Sequence, residues 1–417
     1  MWSRKAIMAT SFLGSGVNVI LPFALAYCID FRYTAIWMAL RAGAQLLLAI
    51  FPNPISVILY VSRYSRIDRK KLIATGYLWG LIPAVLLIFS AFYFFLLNSY
   101  SGEVPWFLVA IYLVFFQISG YEAIIARGIK NSDYLLRASL VDLFFSLVMV
   151  VALLVWKEFS LFLSLAIIKE MWRAGYFFWM RRNDIVSPKR PFQGSRVRKI
   201  TYRYISAHMA RSALQVLSQQ GDRIIFPLLF GLDVAGQTNL GASLAMIIAI
   251  FSSSAFSWSM PQTLEGKNMS GWIFDEWTRL FIISVVMALL IFIAATYLET
   301  GLSILGVQNF KISTASIFGF LFASFSSLSF MSMGASAQRL RGKRYFFIHL
   351  GWLVVTYTSV VVASTIFGFS NASYALAVGI FVGAAFFFLL NYMYFSLKKI
   401  VFIGVFLLAS ICGILYA

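Results

Sequence analysis

The stretch SQQGDRIIFPLLFGLDVAGQTNLGASLA, residues 218–245, decides which class of fold this chain adopts. Two adjacent charges, Asp222 and Arg223, lie there inside a long apolar run. A charged side chain at the centre of a membrane costs about 2.5–3.5 kcal/mol on insertion scales. If the chain crosses a membrane, this pair must therefore face protein or water rather than lipid.

The composition indicates a membrane protein. Of the 417 residues, 61% are hydrophobic and 12% are charged, and the mean hydropathy is +0.85. Soluble domains have about 45–50% apolar and about 25% charged residues. Apolar runs of about 20 residues, the length that crosses a bilayer core, recur along the whole chain. We expect an all-α polytopic membrane protein with spans near 6–29, 34–62, 72–98, 106–126, 138–156, 160–180, 203–230, 237–262, 277–298, 313–337, 346–367 and 373–397.

The net charge of +19 follows the predicted topology. With the N-terminus inside, the inner loops hold 24 of the 34 basic residues, and the outer loops hold only Arg32, Lys157 and Lys311. This asymmetry satisfies the positive-inside rule and predicts a multi-pass protein with a cytoplasmic N-terminus. Nucleic-acid binding is not needed to explain the charge.

The domain organisation predicts two six-helix lobes related as a parallel repeat. The basic loop 181–202 joins an N-terminal lobe at 1–180 to a C-terminal lobe at 203–397. A further short segment at 398–417 leaves the number of spans open between twelve and thirteen. The outer loops are too short for a catalytic domain, so we expect a protein that acts within its helix bundle and is not an enzyme.

Polar residues in the seventh span form a stripe. Treated as one helix of 3.6 residues per turn, the span carries on one side Tyr204, His208, Arg211, Gln215, Ser218, Gln219 and Asp222. A stripe of this length cannot face lipid, so it predicts a hydrated cavity between the lobes. Other spans add polar residues to this predicted lining: Asn18, Arg41, Gln45, Lys169, Arg173 and Tyr176.

The buried charges predict a cationic cavity. Five cations (Arg41, Lys169, Arg173, Arg211 and Arg223) stand against two carboxylates, Glu170 and Asp222. Such an excess suits an anionic group such as pyrophosphate. The alternative is that these charges form structural pairs, Glu170 with Arg173 and Asp222 with Arg211 or Arg223. Glu122 and Asp142 lie near predicted inner boundaries, where snorkelling toward water is the expected account.

No cofactor is expected. The two cysteines, Cys28 and Cys412, are far apart and offer no metal-binding spacing. The chain has no nucleotide-binding glycine loop of the GxxxxGK[ST] type. Coupling of transport to H⁺ or Na⁺ is left open, with Glu170, Asp222 and Arg223 as candidates for a coupling site or a structural ion pair.

Two motifs resemble a known family. The block GDRIIFPLLFGLDVAGQTNLGASLAMIIAIF, residues 221–251, resembles the start of the second half of Wzx-type polysaccharide flippases, with Asp222, Arg223, Gly231 and Gly236 at the matching places. The inner loop YVSRYSRIDRKKL, residues 60–72, is similar to the corresponding loop of the first half. Gln237 and Asn239 depart from the residues that the family often has there.

The resemblance implies a member of the multidrug/oligosaccharidyl-lipid/polysaccharide exporter superfamily, with two lobes in a V around a central cavity. It implies a flippase that moves an undecaprenyl-pyrophosphate-linked oligosaccharide across the bacterial inner membrane for O-antigen or capsule synthesis. Membrane lipids and the polysaccharide polymerase machinery are the other expected partners. Two alternatives remain: a cation-coupled multidrug exporter of the same superfamily, and a membrane polysaccharide polymerase.

Overall fold

The computed structural model describes six α-helices and several shorter helical pieces of the chain. The residues described are 20–50, 105–128, 132–180, 213–214, 216–217, 220–240, 243, 290, 293, 297, 342–367, 375, 378–379, 381–383 and 386. In chain order the helices are α1 (Phe31–Ile50), α2 (Trp106–Gly128), α3 (Ser132–Trp156), α4 (Phe159–Met180), α5 (Asp222–Phe230) and α6 (Gly342–Phe367). Residues 20–28 and 232–240 are also helical. Every regular element in these ranges is therefore an α-helix, as predicted.

Three of the described helices contain segments long and apolar enough to cross a membrane. These segments are Trp106–Ala123, Arg137–Trp156 and His349–Ile366, and the second has a mean hydropathy of 2.6. Large apolar side chains such as Phe144, Leu147 and Val155 are exposed along α3. In a soluble protein these side chains would face water, so a lipid environment accounts for them.

The predicted spans agree with the helices in the first half of the chain. The span predicted at 106–126 corresponds to α2, and the span at 160–180 corresponds to α4. Helices α3 and α6 begin four to six residues before their predicted spans, at Ser132 and Gly342. Their first turns are polar (SDYLLR and GKR), and hydropathy cannot detect a helix that continues into the interface.

The seventh span is not the single continuous helix that we predicted over 203–230. Gly221 forms a turn, and α5 begins at the next residue, Asp222. The N–H of Ile224 donates to the Gly221 carbonyl, three residues back, over 3.0 Å, a pattern common at helix ends. Pro227, inside α5, has no N–H to donate. Gly221 thus interrupts the helix beside Asp222, which a periodicity count cannot show.

The described residues belong to two compact units. One contains α2, α3 and α4 within residues 39–224, and α4 packs against both of the other helices. The other contains residues 20–38 and the described residues from 225 onward. The predicted linker at 181–202 and the segment at 398–417 lie outside the described residues, so the domain boundaries stay predictions.

Helix α4 has two different faces. Ile168, Trp172 and Trp179 are exposed on one side. Tyr176 stacks on Trp172 with ring centroids 5.4 Å apart and an interplanar angle of 5°, and its ring lies 6.3 Å from that of Trp179. The opposite face, which includes Phe177, is buried. This buried face carries the charges of the site.

Candidate functional site

A buried cluster of charges lies where α3 and α4 meet. We call Asp142, Lys169, Glu170 and Arg173 the charged cluster. Lys169 Nζ is 3.3 Å from Glu170 Oε1 and 4.0 Å from Asp142 Oδ1. Arg173 binds the other oxygen of Asp142 over 3.4 Å. Asp142 therefore shares its carboxylate between two cations that are one helical turn apart on α4.

Helical periodicity places these charges on one side of α4. Lys169 and Arg173 are four residues apart, so their side chains point the same way. Along α4, Lys169 lies about 15 Å and Arg173 about 21 Å from Phe159 at 1.5 Å per residue. For the predicted span at 160–180, both positions fall inside a bilayer core of about 30 Å. Cations at this depth must face protein or water, and the neighbouring carboxylates supply part of that environment.

Helix α2 supplies neutral polar groups to the same place. The Ser119 hydroxyl donates a short hydrogen bond to Glu170 Oε2, and both side chains are 1% exposed. The Tyr112 ring is equally buried, and four charged groups act electrostatically on its hydroxyl: Glu170, Arg41, Asp142 and Arg173. Ser119 and Tyr112 therefore bring α2 into the charged cluster as hydroxyl neighbours.

Helix α1 reaches the cluster through Arg41. Gln117 on α2 donates from Nε2 to the Ala44 carbonyl over 2.8 Å, which fixes α1 against α2 one turn beyond Arg41. The charge of Arg41 acts on the Tyr112 hydroxyl and on Arg223. Arg41 is half-buried as a residue.

The adjacent charges Asp222 and Arg223 are buried at the start of α5. Asp222 is 7% exposed and Arg223 is 6% exposed. The Asp222 carboxylate lies in the first turn of α5, against the backbone N–H of Arg223 and within reach of the Arg223 charge. The first turn of a helix stabilises an anion because its N–H groups point toward it. A local helix end and a neighbouring cation thus both stabilise this carboxylate.

The structure brings together the predicted cations Arg41, Lys169 and Arg173 and the predicted acid Glu170. Gln45 is half-buried on α1. The Tyr176 hydroxyl accepts a hydrogen bond from Arg137 over 3.0 Å, near the end of α4. The other predicted lining residues lie outside the described residues: Asn18, His208, Arg211, Gln215 and Gln219. Whether these residues line a substrate cavity stays a prediction.

Two expectations about the charges are wrong. In place of the alternative pairing of Glu170 with Arg173, the structure pairs Glu170 with Lys169 and Arg173 with Asp142. Asp142 and Glu122 are not boundary residues that snorkel, since the Asp142 side chain is 17% exposed and Glu122 is 1% exposed. An acid inside an apolar span is by default a candidate for function, and applying that rule to Asp142 would have found it.

These two acids change the charge balance. Within residues 39–224, the cations buried or half-buried inside the described helices are Arg41, Lys169, Arg173 and Arg223. The corresponding carboxylates are Glu122, Asp142, Glu170 and Asp222. Among the residues of this part whose burial the structure describes, cations and carboxylates are equal in number. Arg211 lies outside the described residues, so the predicted excess of cations stays a prediction.

Comparison with known proteins identifies the fold. No protein-family model and no curated protein matches the chain. An inward-facing multidrug resistance MATE family transporter of the MOP superfamily matches 94% of this chain and 94% of its own, with a TM-score of 0.62 and 14% identity. An outward-facing one gives a TM-score of 0.64 at 14% identity, covering 94% of this chain and 95% of the other.

A third similar structure is a MOP superfamily transporter from Pyrococcus furiosus. It has a TM-score of 0.64 and 15% identity, and the match covers 94% of this chain and 95% of the other. At these identities the likeness defines the fold, which is the all-helical membrane fold with two six-helix lobes. The predicted fold class is confirmed, and the predicted superfamily stays a prediction. The polysaccharide branch stays a prediction.

Proposed function

We propose that this protein is a flippase that moves an undecaprenyl-pyrophosphate-linked oligosaccharide by alternating access. It would work in the bacterial inner membrane with its N-terminus in the cytoplasm and hand its cargo to the machinery that polymerises surface polysaccharide. The observation that carries the proposal is a difference in accessibility. Two cations are partly accessible, since Arg41 is half-buried and the Arg173 side chain is 20% exposed. Of the two carboxylates in the charged cluster, Asp142 is 17% exposed and Glu170 is 1% exposed.

The partly exposed side chain of Arg173 carries a charge that only protein or water can solvate. A guanidinium about 21 Å along a membrane helix cannot face lipid, so its exposed part faces a hydrated space. Guanidinium groups bind phosphate oxygens through two parallel hydrogen bonds. The 3.4 Å separation of Arg173 and Asp142 is longer than the 2.7–2.9 Å of a strong charge-assisted hydrogen bond. An incoming pyrophosphate therefore competes with the Asp142 carboxylate for Arg173.

The deeper groups have a different part. Lys169 and Glu170 neutralise each other in the interior, and Ser119 satisfies one oxygen of Glu170. This arrangement holds the buried face of α4 in position and keeps the Glu170 carboxylate away from an incoming anion. The more accessible cations, Arg41 and Arg173, then favour a negatively charged cargo.

A cation-coupled multidrug exporter is the second candidate. Transporters described as multidrug resistance proteins share the fold, and the Asp142 carboxylate keeps 17% exposure. A different function within this superfamily is suggested for the Pyrococcus furiosus transporter by the reversed polarity of its binding pocket. The fold therefore suits either cargo, and the sign of the accessible charges favours the anionic one.

The test uses the purified protein in liposomes with a fluorescent polyprenyl-pyrophosphate oligosaccharide, whose movement is followed by a quencher added outside. We expect Arg173→Gln to raise the cargo concentration that gives half-maximal movement about 10- to 100-fold. The reason is that a charge-assisted hydrogen bond contributes about 1.5–3 kcal/mol to binding. Lys157→Gln is the control, because it removes a positive charge from an exposed residue that lies between α3 and α4. Wild-type protein that leaves this lipid unmoved but extrudes cationic dyes would replace the proposal with the second candidate.

A further inference from the structure

Two places that are 201 residues apart in the sequence meet at one end of the bundle. The Arg32 Nε donates to Asp233 Oδ1 over 2.9 Å. Arg32 is in the first turn of α1, and Asp233 is in the first turn of the helical segment 232–240. The charge distribution predicts that both turns follow outer loops. The contact therefore joins the outer ends of the second and eighth predicted spans, one from each half of the sequence.

The backbones of the two helices also touch here. A Cβ atom on Gly236 would lie 2.6 Å from the carbonyl carbon of Phe31 and 2.9 Å from its Cβ. These distances are shorter than real carbon contacts, so only glycine permits this approach. The ion pair and the glycine contact lie on successive turns of the same segment.

An apolar layer lies beneath these contacts. The buried residues Ala35, Phe226, Ala235 and Val360 form one cluster, with Phe230 packed against it. Ala35 belongs to α1 and Ala235 to the segment 232–240, so the small residues continue the close approach inward. Small side chains are typical where membrane helices pack tightly.

The polar part of the contact is weak enough to break. The Arg32 side chain is 53% exposed and the Asp233 side chain is 54% exposed. An ion pair this exposed shifts an equilibrium at most about fivefold. A contact of this kind holds two helices together without locking them.

We propose that Phe31, Arg32, Asp233 and Gly236 form a latch that closes the outer end of the transport path. The four residues are called the outer latch. It keeps the second and eighth spans together while cargo enters from inside, and it opens to let cargo leave. The direction of this cycle rests on the proposed function, whereas the opening and closing of the latch do not.

The first experiment measures opening without using cargo. Spin labels are placed on the exposed residues Tyr27 and Leu228, each four residues before one of the two latch helices. In liposomes they report the distance between the outer ends of these two parts of the chain, in a background where both native cysteines are replaced. Asp233→Arg places two cations opposite each other and is expected to raise the ratio of open to closed protein about 2- to 10-fold. The swap Arg32→Asp/Asp233→Arg restores the pair and is expected to restore the wild-type distribution.

The second experiment links the latch to transport. Cysteines at positions 32 and 233 are joined by a short, reducible bifunctional thiol reagent, with each single-cysteine variant as the control. We expect the linked protein to lose transport at least tenfold and to regain it after reduction. Distances unchanged by charge reversal, or full transport by the linked protein, would show that this contact is a fixed part of the fold.

The two proposals fail in different ways. If the wild-type protein does not move the polyprenyl-pyrophosphate oligosaccharide but the label distances respond to reversal and swap, the cargo is wrong and the latch stands. If the lipid moves but the distances do not respond, the flippase stands and the latch is refuted.

Discussion

The pair Lys169–Glu170 provides the sharpest test of the charged cluster. Replacing Lys169 by Gln leaves Glu170 buried beside α2 without the cation that lies 3.3 Å away. Replacing Glu170 by Gln leaves Lys169 with a second carboxylate, Asp142, at 4.0 Å. The two changes remove the same ion pair, but only one of them strands a charge. We therefore expect unequal effects on stability.

The magnitudes follow from these distances. At an effective dielectric constant of about 20, the attraction across 3.3 Å is about 5 kcal/mol and across 4.0 Å about 4 kcal/mol. Most of that attraction offsets desolvation, and removing one partner of a buried pair costs about 3–5 kcal/mol. We expect a loss of this size for Lys169→Gln. For Glu170→Gln we expect about 1–2 kcal/mol, because Asp142 still attracts Lys169.

The assay is the free energy of unfolding in mixed detergent micelles, measured for both single variants and the double variant. The double variant is expected to be less destabilised than Lys169→Gln, with a coupling energy of about 2 kcal/mol. Lys157→Gln is the control, since the same substitution at this exposed residue is expected to change stability by less than about 0.5 kcal/mol. Equal losses for the two single variants, or strict additivity, would refute the shared-carboxylate arrangement.

Three further predictions follow from other contacts. Ser119→Ala removes the hydroxyl that donates to Glu170 and is expected to cost about 1.5–3 kcal/mol; Ser146→Ala, where the buried hydroxyl has no hydrogen-bond partner among the described residues, is expected to be neutral in the same unfolding assay. Gly231 has a φ of 85°, so Gly231→Val is expected to cost about 1–2 kcal/mol and Gly231→Asn clearly less, and equal losses would contradict a backbone cause. Asp142→Asn removes the weak partner of Arg173 and is expected to tighten inorganic pyrophosphate binding measured by calorimetry, with weaker binding as the contrary result.

The sequence predicted the helices of the first half well, because a membrane span is set by its own length and apolarity. Helix α4 ends at Met180 as expected, and α2 begins at Trp106. The break at Gly221 was missed because a periodicity count assumes an unbroken helix. One glycine and a nearby proline are compatible with either outcome until neighbouring helices select one.

The charges were harder to predict than the spans. Lys169 and Arg173 were placed on one face by their spacing, and the structure has them there. Their partner, Asp142, is on another helix, and hydropathy carries no information about which helices meet. The position of Asp142 near a predicted boundary suggested water, whereas packing of α3 against α4 turned it inward. Burial of a single acid depends on tertiary contacts that one sequence does not show.

The aromatic face of α4 restricts how this helix can move. The indole rings of Trp172 and Trp179 are exposed. The ring of Tyr176 stacks on that of Trp172 and is tilted against that of Trp179. Trp179 lies about 30 Å along α4 from Phe159, at the depth of the lipid headgroups, where tryptophan is most favourable. A shift of α4 along the membrane normal would pull this ring out of its preferred layer. We therefore expect α4 to resist shifts along the membrane normal more than tilts and rotations about this anchor.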